Sequence, residues 1–203
     1  MNHKKLFQPL LLAAAAALAL PALAQHNITV VNFGGANGDL EAFSVTEAGA
    51  GFSVAHKEVF MVGLGNTDVE FGPDGKMYLS CFNNSGWYKQ DLGNVYTLTS
   101  REAETSQSEL LRSTEKLLTS PVSKLEIPAL DELLGHVDLR VRQRAQFELA
   151  RRGAKEVFAA AATQTGNRFK RLHGIWGLGQ LARKDDSLLQ TILPSLTDAD
   201  AEV

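Results

Sequence analysis

Cysteine is almost absent from this chain: Cys81 is the only one in 203 residues. That excludes an intrachain disulfide, a Cys-x-x-Cys redox pair, a four-cysteine zinc site and a Cys-x-x-Cys-His haem attachment within the chain. The five histidines (His3, His26, His56, His136 and His173) show no His-x-x-x-His spacing, so a helix-borne zinc site is missing too. Any metal would have to be held by oxygen ligands. Long apolar runs are also lacking. The longest, Leu10 to Leu20, is 11 residues, well short of the roughly 18 to 20 needed to cross a bilayer. Nor is there an excess of cations: 20 Lys and Arg stand against 23 Asp and Glu, and nothing in the overall balance points to nucleic acid.

What is present begins with an export signal. Lys4 and Lys5, the short apolar run and then Ala22-Leu23-Ala24 give the charged start, greasy middle and small residues of a cleaved secretory signal. A cut after Ala24 removes 24 residues and leaves 179, bound for the periplasm or the exterior, with a formal charge near −5. Composition then shifts at about residue 105. From Asn27 to Ser100 the chain is rich in Gly, Asn, Val, Phe and Tyr with period-two stretches, which favours strands. Beyond Thr105 it is rich in Leu, Ala, Arg, Glu and Gln with apolar residues three and four apart, which favours helices. Strands followed by helices predict an α+β chain of segregated units, a β-rich 25–104 and a helical 105–203.

The best-defined strands are 67–71 and 76–80, joined by Gly72-Pro73-Asp74-Gly75. Proline presets φ for a type I turn, and Gly75 tolerates the positive φ that often follows. Val69 and Phe71 on one strand, and Met77 and Leu79 on the other, give each a single apolar face. Residues 93–98 supply another strand after a loop containing Trp87, and 51–54 and 58–62 read as two more. Four short antiparallel strands in about 50 residues are the size of one propeller blade, and these five stretches, spanning 51–98, predict one small antiparallel sheet of about that size. The stretch TDVEFGPDGKMYLSCFNNSGWYKQDLGNVYTLT resembles the last blade of exported glucose/sorbosone-dehydrogenase-like propeller proteins, in which HEAT repeats and often a c-type cytochrome domain follow. The upstream blades and the haem-attachment motif of that family are not in this chain.

The helical half repeats itself. At an offset of 29, Arg142 falls on Arg171, Ala145 on Gly174 and Leu149 on Leu178; at 62, Leu134 and Asp138 fall on Leu196 and Asp200. A period near 30 is in the range of helical solenoids, and the Asp-x-x-Val-Arg-x-x-Ala-x-x-x-Leu pattern resembles HEAT repeats. Asp138 and Asp200 stand where N-caps belong. Gly174, Gly177 and Gly179 inside one helix would cost about 1 kcal/mol each relative to alanine, which close approach of a neighbouring helix would offset. Phe169, Leu172, Ile175, Trp176 and Leu181 put apolar groups on more than one side, as an inner helix requires. A solenoid ordinarily ends in a polar cap, so the helical repeats are expected to be truncated at the C-terminus, the chain being a fragment.

Candidate sites follow from charge. Residues 137–184 hold 11 basic and 3 acidic side chains, so Arg140, Arg142, Arg144, Arg151, Arg168 and Arg171 make a candidate face for an acidic protein partner or for the remainder of the same polypeptide. Locally paired charges on a solvated face are the alternative. Nucleic acid is not the expected partner of an exported protein without an aromatic stacking platform. Asp68, Glu70 and Asp74 are the carboxylates suited to a hard cation, although a turn aspartate beside glycine is explained by backbone hydrogen bonds. His173 reads as a bonded interior residue rather than a base, and Cys81 as packing. No catalytic, cofactor-binding or metal-binding residue is assigned. The resemblance implies pyrroloquinoline quinone, calcium and haem c only for a full-length relative. Residues 26–39, HNITVVNFGGANGD, separately resemble the first strand and glycine turn of periplasmic polyamine- or iron-binding proteins. The expected function is an exported, non-catalytic module acting through protein interaction. Its alternatives are a quinone-dependent sugar dehydrogenase module needing further blades, and periplasmic solute binding.

Overall fold

Six strands and six α-helices occupy the residues that the computed structural model describes, namely 25–32, 39–49, 51–63, 65–81, 93–100, 105 and 108–203. The expected signal segment 1–24, the expected glycine turn after residue 32 and the expected loop around Trp87 lie outside them. The chain divides into two units, 1–111 and 112–203, and is an α+β mixture of small antiparallel sheets and helices.

In the first unit, β1 (Gln25–Asn32), β2 (Asp39–Ala48) and β3 (Gly51–Met61) form one antiparallel sheet in that order, and β4 (Asn66–Phe71), β5 (Met77–Cys81) and β6 (Asn94–Leu98) form another. The expected single sheet is therefore two. Between β3 and β4 stand Gly63 and Gly65, both with positive φ (85° and 59°). Two residues in that region within three positions turn the chain out of the ladder. Stretches 51–54 and 58–62, expected as separate strands, are one strand. Its pairing with β2 skips Ala55 and Phe60, and each such bulge resets which face the next side chain takes.

The hairpin of β4 and β5 closes as its turn chemistry dictates. Gly75 N–H donates to the Gly72 carbonyl at 3.1 Å, Gly72 N–H donates to that of Lys76 at 2.8 Å, and Gly75 sits at φ 74°. Met77, Leu79 and Cys81 alternate inward along β5. Leu40, Met77 and Leu79 are the buried core, with Phe60, Met61, Val69 and Leu98 packed on it.

The helices are α1 (Ser108–Thr119), α2 (Ile127–Leu133), α3 (Leu139–Arg151), α4 (Lys155–Ala162), α5 (Arg168–Ala182) and the single turn α6 (Leu189–Ile192). The division between units falls inside α1. Caps start the two longest helices. The Asp138 carboxylate accepts from the N–H groups of Arg140 (2.8 Å) and Val141 (3.4 Å), and the Asn167 amide oxygen accepts from Lys170 N–H at 3.1 Å. Those caps are 29 residues apart, so the sequence offset is a structural one. Asp200 instead accepts from Glu202 N–H at 3.1 Å within a turn.

Leu130, Leu134, Ala145, Leu149, Phe158 and Leu178 form the centre of the helical core, all fully buried. Each such leucine or phenylalanine contributes about 1.5–3 kcal/mol by leaving water. Two glycines let α5 approach α4. A Cβ on Gly174 would stand 2.5 Å from Ala162 N and 2.9 Å from Phe158 O, and one on Gly177 would strike the Phe158 ring. Gly179 is a correction to the expected close approach: a Cβ there meets nothing within 4 Å. Phe169 and Trp176 are likewise 38% and 48% exposed, so this flank of α5 is open rather than sandwiched.

Candidate functional site

The arginines that charge counting singles out are each held by a particular acceptor. Arg140 clamps its own cap, Nη2 to Asp138 Oδ2 at 2.7 Å. Arg144 reaches the carbonyls that end α1, donating to Leu117 O (2.8 Å), Leu118 O and Ser120 O (2.7 Å). That places a cation at a helix C-terminus, where the peptide dipoles favour it. Arg151 and Arg152 share Glu148, at 2.6 and 2.7 Å, and those hydrogen bonds hold the Glu148 carboxyl down to about 2. Arg168 pairs with Asp200, and Arg171 stands 3.3 Å from both Asp198 and Asp200. Of the six, Arg151 projects furthest into solvent; Arg140, Arg144, Arg168 and Arg171 are partly buried.

Arg142 differs, because it is buried and no carboxylate hydrogen-bonds it. Its Nη1 donates to the carbonyls of His136 (2.6 Å) and Val137 (2.9 Å), and its Nε donates to His173 Nε2 at 3.1 Å. Arginine has no lone pair to offer, so His173 Nε2 must be the acceptor and Nδ1 must carry the proton. Nδ1 lies 2.6 Å from Gln146 Oε1, and Gln146 Nε2 donates to Gln180 Oε1 at 2.9 Å. The four side chains thus form one directed ladder, Arg142 to His173 to Gln146 to Gln180, between α3 and α5. Burial, followed by the neighbouring Arg142 charge, pushes His173 down to about 4. The imidazole is neutral and bonded at both nitrogens, which leaves it no free position for proton transfer at neutral pH.

Two exposed aromatics stand over this ladder. The Phe169 ring lies 4.1 Å from the Arg142 guanidinium carbon, a cation–π stack, and Trp176 meets His173 edge-on at 4.9 Å between centroids. Phe169 and Trp176 are seven residues apart, two turns, so they share a face of α5. Beside them Gly179 leaves open space. The result is an apolar surface whose floor is polar and hydrogen-bonded. Charge counting could find Arg142 and the histidine. It had no means of finding Gln146 and Gln180, which are uncharged and lie in different helices.

The remaining candidates have local explanations. Asp74 accepts from Lys76 N–H (3.2 Å) and from Tyr78 Oη–H (3.0 Å), and Asp68 accepts from Val69 N–H (2.8 Å). Burial raises the Asp74 carboxyl, but the bonds from Lys76 and Tyr78 together hold it below the usual carboxylate range. Glu70 likewise accepts from the next N–H at 3.2 Å. Cys81 is buried against Asn94 O. Among the described residues no group of three or more His, Cys, Asp or Glu could hold a metal ion, and no helix is long and apolar enough to cross a membrane. The chain matches no protein-family model, no curated protein and no solved structure.

Proposed function

We propose that this chain is an exported, non-catalytic interaction module. In this reading a blade-like β half and a HEAT-like helical repeat belong together, as in the sugar-dehydrogenase-like propeller proteins, and the α3/α5 face engages a protein partner. The observation that carries it is the pair Phe169 and Trp176, exposed yet seated on buried Arg142 and His173. Tryptophan and arginine side chains are enriched in interface hot spots. Much of the basic surplus between 137 and 184 is paired with Glu148, Asp131, Asp198 and Asp200, so the reading rests on the aromatic pair and not on net charge.

A photo-crosslinking group at position 176 of the exported protein should trap one protein species, and the same group at exposed Lys184 should not. Identical patterns from both positions would overturn the reading. Non-catalysis is tested by adding pyrroloquinoline quinone, calcium, aldose sugars and an artificial electron acceptor, where no turnover above the protein-free control is expected. Export is tested by N-terminal sequencing of the secreted or periplasmic form, which should begin at Gln25.

A further inference from the structure

The hydrogen-bond ladder between α3 and α5 has a direction, and the direction fixes what its last member offers. Arg142 only donates, so His173 Nε2 accepts and Nδ1–H donates to Gln146 Oε1 at 2.6 Å. Gln146 Nε2 then donates to Gln180 Oε1 at 2.9 Å. With the oxygen of Gln180 so engaged, its Nε2 group is left as a pair of donors. That group is half-buried, open to solvent and meets no acceptor among the described residues.

Gln180 stands four residues after Trp176 and three before Arg183, and Phe169 lies seven before Trp176, so all four share one face of α5 and its C-cap. The Trp176 indole N–H and the exposed Arg183 guanidinium also meet no acceptor among the described residues. No Asp or Glu occurs from Arg168 to Ala182. The stripe therefore carries two aromatic plates and three donors, with nothing on it to accept.

Such a face selects by what it cannot satisfy. An ordinary extended peptide would bring backbone N–H groups to it, and a donor shut against donors is costly. A helix would bring backbone carbonyls already spent on its own hydrogen bonds. A proline-rich segment brings carbonyls and no N–H, in a preformed extended helix that loses little entropy on binding. The repeats also agree. Seven residues of α-helix rise about 10.5 Å, and one three-residue turn of the proline helix rises about 9.3 Å, so successive turns bring rings to Phe169 and to Trp176.

We infer that this face of α5 docks a proline-rich segment of the partner protein, with its rings on Phe169 and Trp176 and its carbonyls on the Gln180 amide and Arg183. The inference rests on the interaction reading above and adds the chemistry of the partner. Aromatic-lined surfaces that take proline helices are a recurring mode of peptide recognition.

The probe is a fluorescein-labelled decaproline peptide, titrated with the full chain by anisotropy. Saturable binding is expected, and none of a Gly-Ser decapeptide carrying the same label. Gln180→Glu keeps an oxygen for Gln146, and with it the ladder, but removes the terminal donor; it should weaken decaproline at least tenfold, as should Trp176→Ala. Lys184→Ala, at an exposed position outside the stripe, should leave the titration unchanged. Melts at 222 nm check that each variant stays folded, and if Trp176→Ala does not, Gln180→Glu decides alone. Absence of saturable binding, or binding indifferent to Gln180→Glu, would overturn the proposal. So would a Glu-rich decapeptide that binds more tightly than decaproline, because the Arg183 charge would then be what selects. A protein trapped at position 176 while decaproline stays unbound removes this inference and keeps the interaction module. Decaproline bound as expected with no protein trapped keeps the chemistry of the face and removes the partner reading.

Discussion

Arg142 can only donate, and that single restriction orders four side chains across two helices. With His173 Nε2 forced to accept, protonating the imidazole would place a second cation 3.1 Å from the guanidinium and turn an acceptor into a donor facing a donor. A histidine held at about 4 in the fold and near 6.5 when unfolded takes up protons preferentially in the unfolded chain. Its contribution to stability is therefore fully present above pH 6.5 and is lost as pH falls through 4. The loss is on the order of 2–3 kcal/mol. Urea midpoints measured at pH 7, 5.5 and 4 should fall across that window. His173→Gln, uncharged throughout, should be less stable at pH 7 but should flatten the slope; an unchanged slope would mean that another group titrates. Glu148 works in a different window. Its carboxyl is held at about 2 by Arg151 and Arg152, so that stabilisation is present above the unfolded value of about 4.5 and fades only as pH falls through 2.

The glycines of α5 make opposite predictions within one element. Gly174 and Gly177 lie against α4 backbone and the Phe158 ring, where the obstructing atoms have little room to move. Gly174→Ala should destabilise the helical unit by about 1–3 kcal/mol, the usual cost of overpacking. Gly179→Ala meets open space and should stabilise it by up to about 1 kcal/mol through helix propensity alone. Thermal melts of the two variants followed at 222 nm decide this, and destabilisation by both would show that the flank beside Trp176 is not open. The sequence shows three glycines in a helix and suggests one reason for all. It holds no sign of which face each glycine takes relative to α4, because that depends on where α4 crosses. The hairpin of β4 and β5 was legible for the opposite reason, since Pro73 and Gly75 fix its turn locally. β3 was not. It is an edge strand with most side chains exposed and two skipped residues, so no strict apolar alternation is imposed on it. The same distinction applies to the arginine face: basic residues can be counted along the chain, but Arg144 finds carbonyls 24 to 27 residues away and Arg168 a carboxylate 32 away.

At the scale of the molecule, the two units draw their cores from separate stretches of chain. Among the described residues, the helical cluster runs from Val122 to Ile192 with nine buried, and the sheet cluster from Leu40 to Leu98 with three buried. Stability scales with apolar surface removed from water, and small three-stranded sheets with so few enclosed side chains among those described have little margin over the entropy of ordering them. The sheets should therefore unfold first and the helices later, so one midpoint would not describe the chain. Residues 108–203 produced alone should keep the helical signal at 222 nm and reproduce the upper transition of the full chain within about 2–4 °C, the shift that roughly 1 kcal/mol gives in a domain of moderate size. Tyr78 and Tyr96, both on the sheet β4-β5-β6 and both partly exposed, offer a separate reading of the lower transition by absorbance. Coincidence of the two signals, or collapse of the isolated helical piece, would mean that the units stabilise one another beyond what their separate cores supply. It would also move the α3/α5 ladder from a self-sufficient scaffold to one that needs the β half in order to form.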